Sequence, residues 1–214
     1  MMGLKSYKTL LKRGDDEFIV NKSVFIGHGT PVHSEEEAAA FIAKMRKAYA
    51  DASHNCYAYI IGPNMGIMRY SDDGEPGGTA GMPIIEVMKN RGVTNACVVV
   101  TRYFGGVLLG AGGLVRAYKK GAVCAIDAAG VGTMYPTVRY MAEIPYPMLN
   151  RLDHYLKRAP IIEEERTFAD TVTLTFLIRT TDEEQLLSDL TQLSDGQLEP
   201  LRFDELFWPW PEND

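Results

Sequence analysis

Seventeen residues in the middle of the chain, RYFGGVLLGAGGLVRAY (102–118), carry five glycines with an arginine near each end. The residues that lead into them, NACVVVTRY (95–103), are a short and nearly continuous apolar run. Such a run reads as a central strand buried on both faces. A helix is predicted from about Gly113 to Ala129, with Val115, Tyr118, Ala122 and Ile126 on one face. Strand, glycine turn and helix together fit an α+β domain, and they leave bare amides at a helix start, where an anion is favoured.

The glycine pattern is neither of the common phosphate signatures. No lysine and hydroxyl pair follows the glycines, and Gly110-Ala111-Gly112 is followed by Val115 where a dinucleotide fingerprint needs its third glycine. What stays is a general anion or nucleic-acid site. Arg102 at the strand end and Arg116 one turn into the helix supply bidentate donors, and Gly105, Gly106, Gly110, Gly112 and Gly113 open the backbone. Lys119 and Lys120 lie beyond. The alternative is that the glycines serve close helix–sheet packing and Arg116 pairs with an acid. Tyr103 and Phe104, with Tyr57 and Tyr59, stand near these loops, where exposed aromatics would stack bases and buried ones would pack the core.

A second polar loop, SDDGEPGG, brings Asp72, Asp73 and Glu75 together. Three roles fit. The carboxylates pair with Arg69, Arg102 or Arg116 and fix the two glycine loops together; or they are ordinary turn residues; or they hold Mg²⁺ through water. Pairing ranks first and metal last. His54, two residues before Cys56, suggests a Cys–His nucleophile only in outline. His28, His33 and His154 are scattered, no zinc spacing occurs, and no common hydrolase motif is present. Neither a catalytic residue nor a cofactor is expected.

Elsewhere, strands are predicted at 5–12 and 17–27. A helix follows over SEEEAAAFIAKMRKAYA, opened by a Ser34/Glu37 capping box. Residues 56–62 and 66–72 read as a hairpin, and a helix runs from Thr79 to Asn90 and stops at Gly92. The segment 129–136 reads as a boundary between a domain of residues 1–135 and one of 136–214. The second domain has strand 137–145, helix 147–158, strands 161–168 and 171–179, a helix 182–194 capped by Asp182, and strand 199–208. That is the βαββαβ order of ferredoxin-like domains. The tail WPWPEND reads as an exposed end.

Charge separates the same two parts. The 214 residues carry a net −6, which argues against a general nucleic-acid binder. Yet residues 1–135 hold 15 Lys+Arg against 12 Asp+Glu, and residues 136–214 hold 7 against 16. Cys56, Cys97 and Cys124 lie in apolar segments and cannot all pair, which fits buried thiols in a reducing cytoplasm. No signal peptide and no membrane span is read.

HNCYAY, RYSDDGEPGGTAGMP and VVVTRYFGGVLLGAGGLVRAY, in this order, resemble the signature of the Impact family in its bacterial YigZ-type branch. The match runs from about residue 17 to 128. One departure is Leu108, where the family often has a lysine. The resemblance implies a first domain of the ribosomal-protein-S5 domain 2 type and a ferredoxin-like second domain, similar to domains IV and V of elongation factor G. It thereby implies contact with RNA or the ribosome in translation or stress control. Arg102 and Arg116 would contact phosphate, Asp72, Asp73 and Glu75 would order the loops, and the acidic second domain would bind a protein partner or mask the first. The rival reading is an enzyme whose same loops hold a small anionic substrate. A concave pocket rather than a flat basic face would favour it.

Overall fold

The computed structural model describes residues 5–210. They form two compact units, one of Tyr7–Thr133 and one from Met134 onward with the described residues before Tyr7.

In the first unit the order is β1 (Tyr7–Leu10), β2 (Gly14–Val20), β3 (Ser23–Pro31), α1 (Glu35–Ala48), β4 (His54–Ile61), β5 (Ile67–Ser71), α2 (Gly81–Arg91), β6 (Ala96–Tyr103) and α3 (Gly110–Ala129). The sheet runs β2-β3-β6-β4-β5, antiparallel throughout. β6 is central, which is why it is apolar on both faces. Val98 and Val100 join Ala58 and Ile60 under α2 and α3, while Cys97 and Val99 meet Phe41 and Met45 of α1 on the other side. Cys56 and Cys97 are buried and Cys124 is partly so; all three are free.

Close approach of α3 to the sheet depends on small residues. A Cβ on Gly27 would lie 2.2 Å from the Gly121 carbonyl oxygen, and one on Gly14 would lie 2.2 Å from the Ala129 nitrogen. Ala117, Ala122, Ala125 and Ala129 complete the buried helix face.

Three boundaries differ from expectation. The predicted strand 17–27 is a hairpin, because Asn21 and Lys22 both take positive φ, 47° and 66°, and turn the chain between Val20 and Ser23. The helix α3 begins at Gly110, three residues early, so all of Gly110-Ala111-Gly112-Gly113 lies in its first turn. The strand expected at 137–145 begins six residues early, as β7 (Val131–Ile144), and runs through most of the segment 129–136.

β7 leads into α4 (Tyr146–Leu156), β8 (Ile161–Phe168), β9 (Val172–Arg179), α5 (Glu183–Leu193) and β10 (Leu201–Pro209). The antiparallel order β10-β7-β9-β8 is that of a ferredoxin-like domain. Its core sets Val138, Tyr140, Leu174 and Phe176 against Leu152 of α4 and Leu186 of α5. Asp182 stands at the start of α5 but its side chain makes no capping bond. The tail departs from expectation as well. Trp210 is buried and its Nε1 donates to Thr137 Oγ1 at 2.9 Å; residues 211–214 lie outside the described residues. Among the described residues no helix is long and apolar enough to cross a membrane.

Candidate functional site

Sheet register assembles the site. Arg102 of β6 stands opposite Phe25 of β3 on one side and His54 of β4 on the other. All three lie on the face covered by α3. The Arg102 guanidinium carbon sits 5.5 Å from the Phe25 ring centre and 5.4 Å from that of Phe104. Its Nη1 donates to Glu75 Oε1 at 2.7 Å, and the Tyr118 hydroxyl donates to the same oxygen at 2.7 Å. Arg102, Glu75 and Tyr118 are all buried. Burial, with Cys56 and Glu75 as neighbours, holds the Tyr118 phenol far above its ordinary range, so it stays a donor.

The acidic loop is tied down residue by residue. Asp72 Oδ1 accepts from the amides of Ala80 and Gly81 and Oδ2 from Gly78, so Asp72 caps α2 from outside the helix. Asp73 takes the Asn55 amide and the Arg46 guanidinium. Glu75 takes Arg102 and Tyr118. Among the described residues no group of three His, Cys, Asp or Glu is placed to hold a metal ion.

His54 Nδ1 lies 2.8 Å from the Asp73 carbonyl oxygen. A carbonyl only accepts, so Nδ1 carries the proton, and in the neutral ring Nε2 keeps its lone pair. That Nε2 is 4.0 Å from Glu75 Oε1. Cys56 is not its partner: the thiol donates to the Asp72 carbonyl, is fully buried, and is pushed well above its ordinary pKa by that burial. A Cys–His nucleophile is therefore not formed.

The start of α3 stands beside this cluster. Its first four amides have no intrahelical acceptor, Leu109 at the cap offers no side-chain bond, and the first turn has no acid. The glycines here have separable causes. A Cβ on Gly105 would lie 2.0 Å from the Lys22 carbonyl carbon, so it is needed for packing, and Gly110 has φ of +69°. Gly112 has neither cause: the nearest atom to its Cβ position is Arg116 Nη1, at 3.8 Å. Gly113 would meet only the side chain of Leu109.

Two hollows flank this turn. One of about 490 Å³ is lined by Ser53, His54, Gly74, Glu75, Pro76, Arg102, Phe104, Leu108, Leu109, Gly110, Ala111 and Leu114. A smaller one of about 290 Å³ is lined by Val20, Asn21, Leu109, Gly113, Arg116, Ala117 and Lys120. Leu109 borders both. Arg116 is exposed on the helix surface. Phe104 is 49% and Leu108 85% exposed.

Of the residues singled out in the sequence, Arg102, Glu75, His54, Phe104 and Gly110 line the larger hollow, and Arg116 and Gly113 the smaller. Tyr103 turns away and donates to Asp51. Arg69 stands apart, 3.9 Å from Glu35. Tyr57 and Tyr59 stack on one another against α1. Tyr118 was missed as a site residue because its position on the apolar helix face reads as core. The signal was its hydroxyl, which needs a buried partner.

Two family models match the chain: Impact N-terminal domain over residues 21–126 and a domain of unknown function (DUF1949) over residues 143–197. IMPACT family member YvyE of Bacillus subtilis is 38% identical over 195 residues, covering 91% of this chain and 89% of the relative. IMPACT family member YigZ of Escherichia coli is 36% identical, covering 64% and 68%. Protein IMPACT of Mus musculus is 37% identical over 94 residues, covering 42% and 29%. A solved crystal structure of a hypothetical protein superposes with a TM-score of 0.60 at 29% identity, covering 94% of this chain and 98% of that one.

Proposed function

The chain belongs to the IMPACT family, and from that premise we propose that it is a non-catalytic cytoplasmic protein of translation or its control, which holds RNA phosphate at the start of α3. The observation that carries this reading is Gly112. A mid-turn glycine costs a helix up to about 1 kcal/mol against alanine. Here neither φ nor packing requires it, and the space above it holds only the Arg116 guanidinium. Open amides, an absent Cβ and an unpaired exposed arginine are what a closely approaching phosphate uses. Lys120 lies one turn on, and the half-exposed Phe104 ring provides a stacking face.

The two arginines then divide the work. Arg116 and Lys120 contact phosphate. Arg102, neutralised by Glu75 and closed off from water, orders the loop that carries Phe104. Three free cysteines suit a reducing compartment.

A second reading, an enzyme for a small anionic substrate, is favoured by the concavity of the larger hollow and by His54 and Glu75 in its lining.

Titrating a single-stranded RNA octamer into isotope-labelled full-length protein tests the first reading. The amides of Gly110–Gly113 should shift first and furthest. Shifts confined to the second unit, or none at low salt, would contradict it.

A further inference from the structure

The phosphate site adjoins a hollow whose chemistry is more selective than a phosphate needs. We infer that the hollow between Phe104 and Glu75 receives one unstacked nucleobase and prefers guanine. The inference rests on the RNA reading above and deepens it.

Shape comes first. The hollow is about 490 Å³, enough for a base and its sugar, and it opens at Gly110 and Ala111, where the helix amides await a phosphate. Its walls suit a flat ring. Phe104 stands on one side with the Arg102 guanidinium behind it, and Leu108 and Leu109 close the others. Bases stack on aromatic rings of this kind.

Polarity then selects the base. In the neutral His54 ring Nε2 is an acceptor, because the Asp73 carbonyl takes the proton on Nδ1. Glu75 Oε1, 4.0 Å away, already accepts from Arg102 and Tyr118, so the second acceptor is the other carboxylate oxygen, Oε2. Beside them Arg102 Nε is a donor. Among the described residues it is one of two buried side-chain nitrogen or oxygen atoms with no hydrogen-bond partner, in a side chain only 6% exposed. Leaving such a group unmet is costly, and a ligand acceptor would relieve it. The Phe104 ring covers that donor, and it is met by a base edge approaching in the guanidinium plane once this half-exposed ring swings aside.

Two acceptors and one donor complement the guanine edge, which presents O6 as acceptor and N1–H and N2–H as donors. Adenine and cytosine offer one amine each. Uracil offers a single N–H between two carbonyls, which would face His54 and Glu75 unfavourably. The preferred order is therefore guanine, then adenine and cytosine, then uracil.

The test uses the full chain at pH 7.5. Calorimetry with 5′-GMP and 5′-UMP reads the pocket alone. The octamers U8 and U4GU3 read it within RNA. GMP should bind at least tenfold more tightly than UMP, and one guanine should strengthen octamer binding by a similar factor. Phe104→Ala and His54→Ala, both at partly exposed side chains and checked for unchanged thermal unfolding, should abolish the preference. Arg116→Ala should weaken all four ligands and keep it. Equal binding of GMP and UMP, with Phe104→Ala changing neither, overturns the base pocket even if RNA binds. No octamer binding at low salt, with the GMP preference intact, overturns the RNA reading and supports the pocket.

Discussion

Arg102 Nη1 lies 2.7 Å from Glu75 Oε1, with the two side chains 6% and 3% exposed, so the pair that joins β6 to the acidic loop is closed off from water. Removing one partner of such a pair strands the other charge, at a cost of about 3–5 kcal/mol. Glu75→Leu and Arg102→Leu should each destabilise the first unit by about that much in urea unfolding. The double variant should cost clearly less than the two together. Additive losses would mean that the charges do not depend on one another. Tyr118→Phe removes a single bond to the same oxygen and should cost about 1 kcal/mol.

Asp72 acts as a cap at a distance. Three amides converge on its carboxylate, two of them at the start of α2. Asp72→Ala should cost about 1–2 kcal/mol, with faster hydrogen exchange at Ala80 and Gly81. Unchanged exchange there would show that the helix start is held by other means.

Gly27 is closed against the Gly121 carbonyl on α3, 2.2 Å from where a Cβ would stand. The obstacle is backbone, which cannot swing away. Gly27→Ala should lower stability by at least about 1–3 kcal/mol. Gly112→Ala should leave stability unchanged or raise it slightly, since its Cβ meets only the exposed Arg116 side chain at 3.8 Å, while weakening RNA. The contrast separates a packing glycine from a ligand glycine in one pair of variants.

His28 is fully buried, with Nδ1 2.6 Å from Asp15 Oδ1 and Nε2 3.3 Å from Thr101 Oγ1. Burial lowers its pKa, although the Asp15 carboxylate pulls the other way. The folded state thus favours the neutral ring relative to an unfolded histidine near 6.5. Stability from this group is complete above about pH 6.5 and is lost as pH falls from there through the folded value. Unfolding midpoints should drop between pH 7.5 and 5, and the drop should be smaller in His28→Asn. Equal slopes would remove His28 from the pH response.

Much of this was legible in residues. The period of the αβ pattern gave the second unit nearly element by element, because each element there is amphipathic and separated by turn residues. The two-sided apolar run placed β6 at the sheet centre. The hairpin at Asn21-Lys22 escaped because Asn21 is followed by Lys22 where a tight hairpin usually has glycine; the positive φ of Lys22 shows only in three dimensions. Pairing of Glu75 with Arg102 was among the three expected partners, but sequence spacing could not choose it. The choice comes from register, which sets Arg102 beside His54 and turns both toward α3. Nor could sequence say which glycines pack and which stand open, since that depends on what lies above each Cβ position.

The most direct measurement is RNA affinity of the full chain across a salt series, beside Arg116→Ala/Lys120→Ala. Each phosphate neutralised on a single strand contributes a slope of about −0.7 in log affinity against log salt. The account predicts steep salt dependence for the native chain and a slope shallower by up to about 1.4 in the variant. Equal slopes, or no binding at low salt, would contradict phosphate capture at the start of α3.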